Sequence, residues 1–141
     1  MKKAFKLVLT LLPFLYMIAI WIMSSNPDDM ILDLPSSSID RFIKEALHLV
    51  EFALLYILLV SALAANQKLK PGLSLLAALV ACLYGVIDEY HQSFVPYRSS
   101  TLIDLIKDII GVAAVYFHVQ YHYFKRERGF LTIIEKLNEK K

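Results

Sequence analysis

The longest uncharged segment of this chain runs from Leu7 to Pro27. A helix needs roughly 20 apolar residues to cross the hydrocarbon core of a bilayer, which is about 30 Å thick. We therefore expect residues 5–23 to form a transmembrane helix. The basic start Met1-Lys2-Lys3 is also typical of a secretion signal, but no small-residue cleavage pattern follows it, so we favour an uncleaved helix.

Three further segments have the same character, and together they predict an all-α fold with four transmembrane helices. They run from about Ile43 to Ala65, from Leu73 to about Glu89 and from about Leu102 to Phe124. Apolar residues form 57% of the chain, more than a soluble domain of this size could bury. We expect one transmembrane domain, residues 1–124, followed by a basic tail, residues 125–141.

Local signals mark where the helices begin and which kinds of site are absent. Ser37 and Asp40, like Thr101 and Asp104, have the spacing of a capping box, which is typical of a helix start. The net charge of +2 is too small to indicate nucleic-acid binding. The single cysteine excludes an intramolecular disulfide and a cysteine-rich metal site. We assign no cofactor and no metal on the sequence alone.

Basic residues beside the predicted spans indicate their orientation, because cytoplasmic loops of membrane proteins are enriched in Lys and Arg. Three basic groups fall on one side of a four-helix path: Lys2, Lys3 and Lys6; Lys68 and Lys70; and Lys125, Arg126 and Arg128. We expect this side, and both termini, to be cytoplasmic. In the tail, Phe130, Ile133, Ile134 and Leu137 have helical spacing, typical of an amphipathic helix on the inner leaflet, although a solvated tail fits equally well.

The second, third and fourth spans carry ionisable residues at their outer ends. Their uncharged stretches cover only roughly 21–24 Å, less than the hydrocarbon thickness. Glu51, Asp88 and Asp108 must therefore lie at the level of the hydrocarbon. Ionisable groups there cost a few kcal/mol each unless they are paired or hydrated, so we expect them to face one another or a water-filled pocket.

Helical spacing supports a common pocket for these residues, since the polar side chains of each helix fall on a stripe. We expect the pocket to be lined by Lys44, His48, Glu51, Asp88, Glu89, His91, Gln92, Arg98, Asp104 and Asp108. Arg98 is the leading cationic partner for the acids, with Lys44 and Lys107 next. Gly111 would let a neighbouring helix approach closely just beneath the acids.

The stretch from Tyr84 to Asp104 resembles the central signature of the VanZ-like family. That signature has an Asp-Glu pair, a Gln three residues after the Glu, a Pro before an Arg, and an Asp that opens the next helix. Residues 21–27 and the pattern Lys44-x-x-x-His48-x-x-Glu51-Phe52 resemble the family's first and second helices. The three matches occur in the family's order. This chain has Asn26, Tyr97 and Asp108 where the family usually has Gln, Gly and Asn.

The resemblance implies a multi-pass protein of the bacterial cytoplasmic membrane. The family's namesake is associated with low-level resistance to the lipoglycopeptide teicoplanin, without remodelling of the peptidoglycan precursor terminus. No established reaction comes with the resemblance. We therefore expect a role in glycopeptide resistance or envelope homeostasis, with a membrane lipid, a lipid-linked cell-wall precursor or a lipoglycopeptide as the partner.

Several uses of the polar residues stay open at this point. A binding site for an amphiphile would use Arg98 and Lys44 toward an anion. An intramembrane hydrolase or transferase acting on a lipid head group would use the carboxylates as general acid and base, or with the histidines to hold a divalent metal. A third use is a hydrogen-bonded network that only locks the helices together.

We favour a non-enzymatic role, because no zinc-hydrolase motif, nucleophile elbow or phosphate loop is present. A proton-coupled transporter is weaker still, since the polar residues gather at one face of the predicted bundle and a relay would need them deeper.

Overall fold

The structure, a computed structural model, describes residues 2–26, 37–96 and 101–139. These residues form helices joined by turns, without any strand. Five α-helices follow one another as α1 (Lys2–Ser24), α2 (Ser37–Ala65), α3 (Pro71–Gln92), α4 (Leu102–Val119) and α5 (Phe130–Glu139). A π-helical segment, Gln120–Lys125, continues α4. The predicted all-α fold is confirmed, and each predicted span coincides with a helix.

Local residue types explain how α4 and α3 begin. The Thr101 hydroxyl accepts from the backbone N–H of Asp104 at 3.2 Å and donates to its carboxylate at 2.6 Å. These two bonds close the first turn of α4.

Pro71 occupies the first turn of α3. A backbone N–H at this position would make no hydrogen bond within the helix, so proline, which lacks one, is tolerated there.

The end of α2 is a Schellman motif. The backbone N–H of Gln67 donates to the Ala64 carbonyl at 2.9 Å, and that of Lys68 donates to the Leu63 carbonyl at 2.9 Å. Gln67 has a positive φ of 55°, a left-handed conformation that glycine usually supplies. The motif reverses the chain, so that α3 runs back beside α2.

Helix α2 is central to the fold, since it contacts α1, α3, α4 and α5. Along its length, Phe52, Leu55, Tyr56, Val60 and Ala64 are fully buried. It is also joined to α1 by two hydrogen bonds, one at the middle of α2 and one just after its last residue. The Tyr16 hydroxyl donates to the Glu51 carbonyl at 3.3 Å, and the Asn66 amide donates to the Thr10 hydroxyl at 2.8 Å.

Helix α4 approaches α2 most closely at Gly111. A Cβ atom added to Gly111 would overlap the backbone carbonyl oxygen of Leu49. The predicted role of Gly111 in a close helix approach is therefore confirmed.

Within the described part of the chain, two helices, Lys3–Ser24 and Pro71–Gln92, are long and apolar enough to cross a membrane. In the most apolar part of each, only 17% and 33% of the residues are buried, whereas the core helix of a soluble protein would be mostly buried. A shorter apolar helix covers Leu49–Ala65. Four membrane crossings and the orientation of the termini remain predictions.

The tail folds back onto the bundle. Glu127 and Gly129 have positive φ values of 51° and 115°, and the chain reverses at these residues into α5, which packs against α2 and α1. Leu131 is buried, and the Tyr123 hydroxyl donates to the Glu135 carboxylate at 2.6 Å. The predicted C-terminal helix is confirmed, and its position on the inner leaflet stays a prediction.

The bundle has two chemically different ends. We call the end formed by the last turn of α1, the last turns of α3 and the start of α4 the polar end. The opposite end carries the basic groups around Lys3, Lys6, Lys68, Lys70 and Lys125, and we call it the basic end.

Candidate functional site

Four polar side chains are buried toward the polar end. Asp88, Glu89 and Gln92 lie on the last turns of α3, and Asp108 lies on α4. Each is at most 6% exposed to solvent. Together with Glu51 of α2 we call them the polar cluster. Residues of this type are seldom fully buried without a partner, so their burial needs a physical reason.

Asp108 packs against α3 at Gly85, on the side that faces Phe52 of α2. A Cβ atom on Gly85 would lie 3.5 Å from an Asp108 carboxylate oxygen and 3.7 Å from the Phe52 ring. Asp108 therefore packs against the backbone of α3 one turn before Asp88 and Glu89. This packing brings carboxyl groups of two helices into the same interior space.

The carboxyl groups of the cluster interact electrostatically across three helices. Asp108 interacts with Glu89, Glu51, Asp88 and Asp104, in decreasing order of strength. The structure thus brings together acids that are far apart in sequence.

Hydrogen bonding satisfies only part of the cluster. The Gln92 amide donates to one Asp88 oxygen at 2.5 Å. Among the described residues, four other buried atoms find no hydrogen-bond partner: Asp88 Oδ1, Gln92 Oε1 and both carboxylate oxygens of Asp108. The amide carbonyl is an acceptor, and a carboxyl group keeps acceptor capacity whether or not it is protonated. The cluster therefore has unused capacity for hydrogen-bond donors.

His91 points away from the cluster, toward α1. Its ring stacks on Trp21 with centroids 3.9 Å apart, and its Nε2 lies 3.0 Å from the Ser25 hydroxyl. Because that hydroxyl donates to the Trp21 carbonyl at 2.7 Å, it accepts from His91 Nε2–H. His91 thus connects α3 to the end of α1.

Asp104 caps α4 and also forms an ion pair. The Lys107 ammonium lies 3.1 Å from its carboxylate, one turn along the same helix. Lys107 was predicted as a possible cationic partner of the clustered acids. In the structure it forms an ion pair with Asp104, at the edge of the polar cluster.

The family model described as VanZ/LLP1 matches residues 2–123. The chain belongs to the VanZ/LLP1 family. No curated protein and no solved structure showed significant similarity to the chain. The VanZ/LLP1 match covers α1 to α4 and ends next to the predicted domain boundary at residue 124, so α5 lies outside it.

Three of the residues predicted for the VanZ/LLP1 site are not open to comparison with the structure. Arg98 lies outside the described residues, as do the side chains of Lys44 and His48. Their proposed roles stay predictions. Among the side chains that are described, no group of three or more His, Cys, Asp or Glu could hold a metal ion.

The sequence did not show that the polar residues of α3 contact different neighbouring helices. Helical spacing places Tyr84, Asp88 and His91 on one stripe of α3, but the Tyr84 hydroxyl donates to the Met17 carbonyl of α1 at 2.7 Å. His91 also contacts α1. Helix α3 contacts α1, α2 and α4, so more than one of its faces is covered. In the sequence, residues 21–27 resemble a pattern of the VanZ/LLP1 family. That resemblance singled out the end of α1, which His91 contacts.

Proposed function

We propose that this protein binds the head group of an amphiphile at the polar cluster, and that the head group supplies hydrogen-bond donors. The observation that carries the proposal is the set of buried acceptors on Asp88, Gln92 and Asp108 that find no partner within the described part of the chain. A buried polar atom left without a hydrogen bond costs about 1–3 kcal/mol, and more when it is charged. A donor-bearing ligand would remove that cost.

The chemistry of the acceptors restricts the ligand. Carboxylate and amide oxygens repel a phosphate oxygen but accept from an ammonium group or from sugar hydroxyls. The favoured contact is therefore the amine or hydroxyl part of the head group. A lipid-linked cell-wall precursor, an amine-bearing phospholipid and a lipoglycopeptide all offer such groups, and the family association with glycopeptide resistance supports an envelope role of this kind.

Apolar surface beside the polar end supports an amphiphile rather than a water-soluble ligand. Tyr90 and Phe94 are each 69% exposed, and their rings contact edge to face with centroids 5.0 Å apart. An exposed aromatic pair next to a polar site suits the boundary between hydrocarbon and head groups.

In the proposed topology the chain crosses the cytoplasmic membrane four times, with both termini inside and the polar end outside.

Two lipids with the same phosphate test the donor requirement. Phosphatidylethanolamine has N–H donors, whereas phosphatidylcholine has none. We expect the first to raise the melting temperature of the purified protein and the second to leave it unchanged, because a ligand that binds only the folded state stabilises it. Equal stabilisation by both lipids would refute the donor requirement.

Asp108→Asn provides the matched variant, since it keeps the shape and replaces an acceptor by a donor. We expect the unliganded variant to melt at a higher temperature and to bind phosphatidylethanolamine about tenfold more weakly. Glu127→Gln, which removes an exposed carboxylate at the basic end, should change neither property. Formation of a product from the lipid during incubation would instead support the hydrolase or transferase alternative.

A further inference from the structure

A cleft of about 200 Å³ lies at the basic end, far from the polar cluster. It is lined by Lys3, Lys6, Ala65, Gln67 and Asn138. These residues belong to the start of α1, the end of α2 with the turn after it, and the end of α5. The cleft therefore exists only because α5 packs back against α1 and α2.

The polar groups around the cleft are suited to an anion. Two ammonium groups and two side-chain amides line it, and none of these lining residues is acidic. Each ammonium carries three donors, and each amide carries two. One donor of Asn138 is used by the Ile134 carbonyl, at 3.0 Å, which leaves its other N–H for a ligand. A water molecule takes about 30 Å³ in the liquid, so the cleft has room for a group several times larger. A phosphate, with its acceptor oxygens, fits this description.

Gln67 gives a second indication of function. Its left-handed backbone occupies the position of the Schellman motif where glycine is the usual residue. Glycine would form the same turn without strain. The turn by itself gives no reason for a long amide side chain there, whereas an anion in the cleft does.

The surroundings favour a lipid as the source of the phosphate. Phe5, Leu7 and Val8, next to the two lysines on α1, are 42%, 58% and 57% exposed. On α5, Ile133 and Leu137 are exposed as well. Cationic groups above exposed apolar surface are typical of a helix at the interface of an anionic membrane.

We propose that this cleft binds the phosphate of an anionic phospholipid, with the acyl chains against the apolar surface of α1. Lys3 and Lys6 bind the charge, Gln67 and Asn138 donate to the remaining oxygens, and α5 forms one wall of the site. The site is separate from the polar cluster and does not depend on the function proposed for it.

The test measures binding of phosphatidylglycerol and phosphatidylcholine to the purified full-length chain. We expect wild-type protein to prefer phosphatidylglycerol, and Lys3→Gln/Lys6→Gln to lose roughly tenfold or more of that preference. The matched control, Lys68→Gln/Lys70→Gln, removes two charges from the same end outside the cleft and should keep most of the preference. Equal losses in the two double variants would show general surface attraction and overturn the proposal.

Gln67→Gly keeps the proposal testable if the lysine variants fold poorly. We expect this variant to melt at a higher temperature than wild type, because glycine adopts the left-handed conformation at residue 67 without strain. We expect its binding of phosphatidylglycerol to weaken. Unchanged binding would remove Gln67 from the site. Inorganic phosphate alone should leave the melting temperature unchanged; stabilisation equal to that by phosphatidylglycerol would assign the cleft to free phosphate and overturn the lipid assignment.

Discussion

Gly85 and Gly111 are both helical glycines in the interior of the bundle, yet their surroundings differ. A Cβ atom on Gly85 would make ordinary van der Waals contacts, the nearest at 3.5 Å. A Cβ atom on Gly111 would overlap the Leu49 carbonyl oxygen. That oxygen belongs to the backbone of α2 and cannot rotate away, so only separation of α2 and α4 would make room.

We therefore expect substitution by alanine to change stability differently at the two glycines. Gly111→Ala should destabilise the fold by about 1–3 kcal/mol, as overpacking does. Gly85→Ala should leave stability unchanged or raise it by up to about 1 kcal/mol, because alanine is the better helix former. Unfolding of both variants in the same detergent measures the difference. Equal stability of the two would contradict the close contact at Gly111.

The sequence predicted contacts between residues that are close along the chain and missed contacts between residues that are distant along it. The cap of α4 by Thr101 is a local interaction, so spacing alone identifies it. The burial of Asp108 follows from the short uncharged stretch of α4. The stacking of His91 on Trp21 joins residues distant in sequence, and periodicity gives the face of a helix but not the neighbour that covers it.

Among the elements, α2, α3 and the π-helical segment meet at one buried hydroxyl group. The Tyr56 and Ser74 hydroxyls lie 2.8 Å apart, and the Gln120 amide donates to Ser74 at 3.3 Å. Tyr56 and Ser74 are fully buried. These bonds fix the relative positions of three elements where α2 and α3 are otherwise apolar.

Ser74→Ala should destabilise the protein by about 1–3 kcal/mol, because it leaves the buried Tyr56 hydroxyl without its partner. Adding Tyr56→Phe should then restore part of the stability, since removing both partners costs less than removing one. Ser61→Ala is the control: that hydroxyl bonds only the Ile57 carbonyl of its own helix, and its loss should change stability by no more than about 0.5 kcal/mol. If Tyr56→Phe lowers stability further in the Ser74→Ala background, the shared bond is refuted.

Element positions were predictable because uncharged runs and capping residues are written in the sequence. The π-helical segment was not, since a wider helical turn depends on how neighbouring helices pack rather than on local composition. The contact of α5 with α2 was missed for the same reason. An amphipathic pattern gives an apolar face without telling whether lipid or protein covers it.

In the whole molecule, the polar and basic ends lie at opposite ends of α3. Ser93 is exposed just after the last turn of α3, and Gly72 is exposed in its first turn, where an added Cβ atom would meet no atom within 4 Å. Both positions can carry a reporter side chain. They test the orientation that the basic residues predict.

In a Cys82→Ser background, we expect Ser93→Cys to react with a membrane-impermeant maleimide in intact cells. Gly72→Cys should react only after the membrane is permeabilised, because the basic end is predicted to face the cytoplasm. Reaction of both cysteines in intact cells, or the reverse pattern, would be incompatible with the proposed topology. Reaction of Gly72→Cys in permeabilised membranes is the control for accessibility.

The all-helical class and the order of helices follow from composition and charge, which act along the whole chain. The arrangement of the helices does not, because it depends on pairs such as Gly111 with Leu49. Sequence analysis identified the acids of the polar cluster for an energetic reason, since charged groups at that depth need partners. It could not tell which of their atoms stay without hydrogen bonds.

The helix that touches all the others is the second to be synthesised. As the nascent chain leaves the ribosome, α2 first has only α1 beside it. The Tyr16 bond to the Glu51 carbonyl and the Asn66 bond to Thr10 can form at that stage, since both involve α1 and α2 alone. The remaining neighbours of α2 arrive later, and each one covers a face that a two-helix hairpin leaves open to lipid.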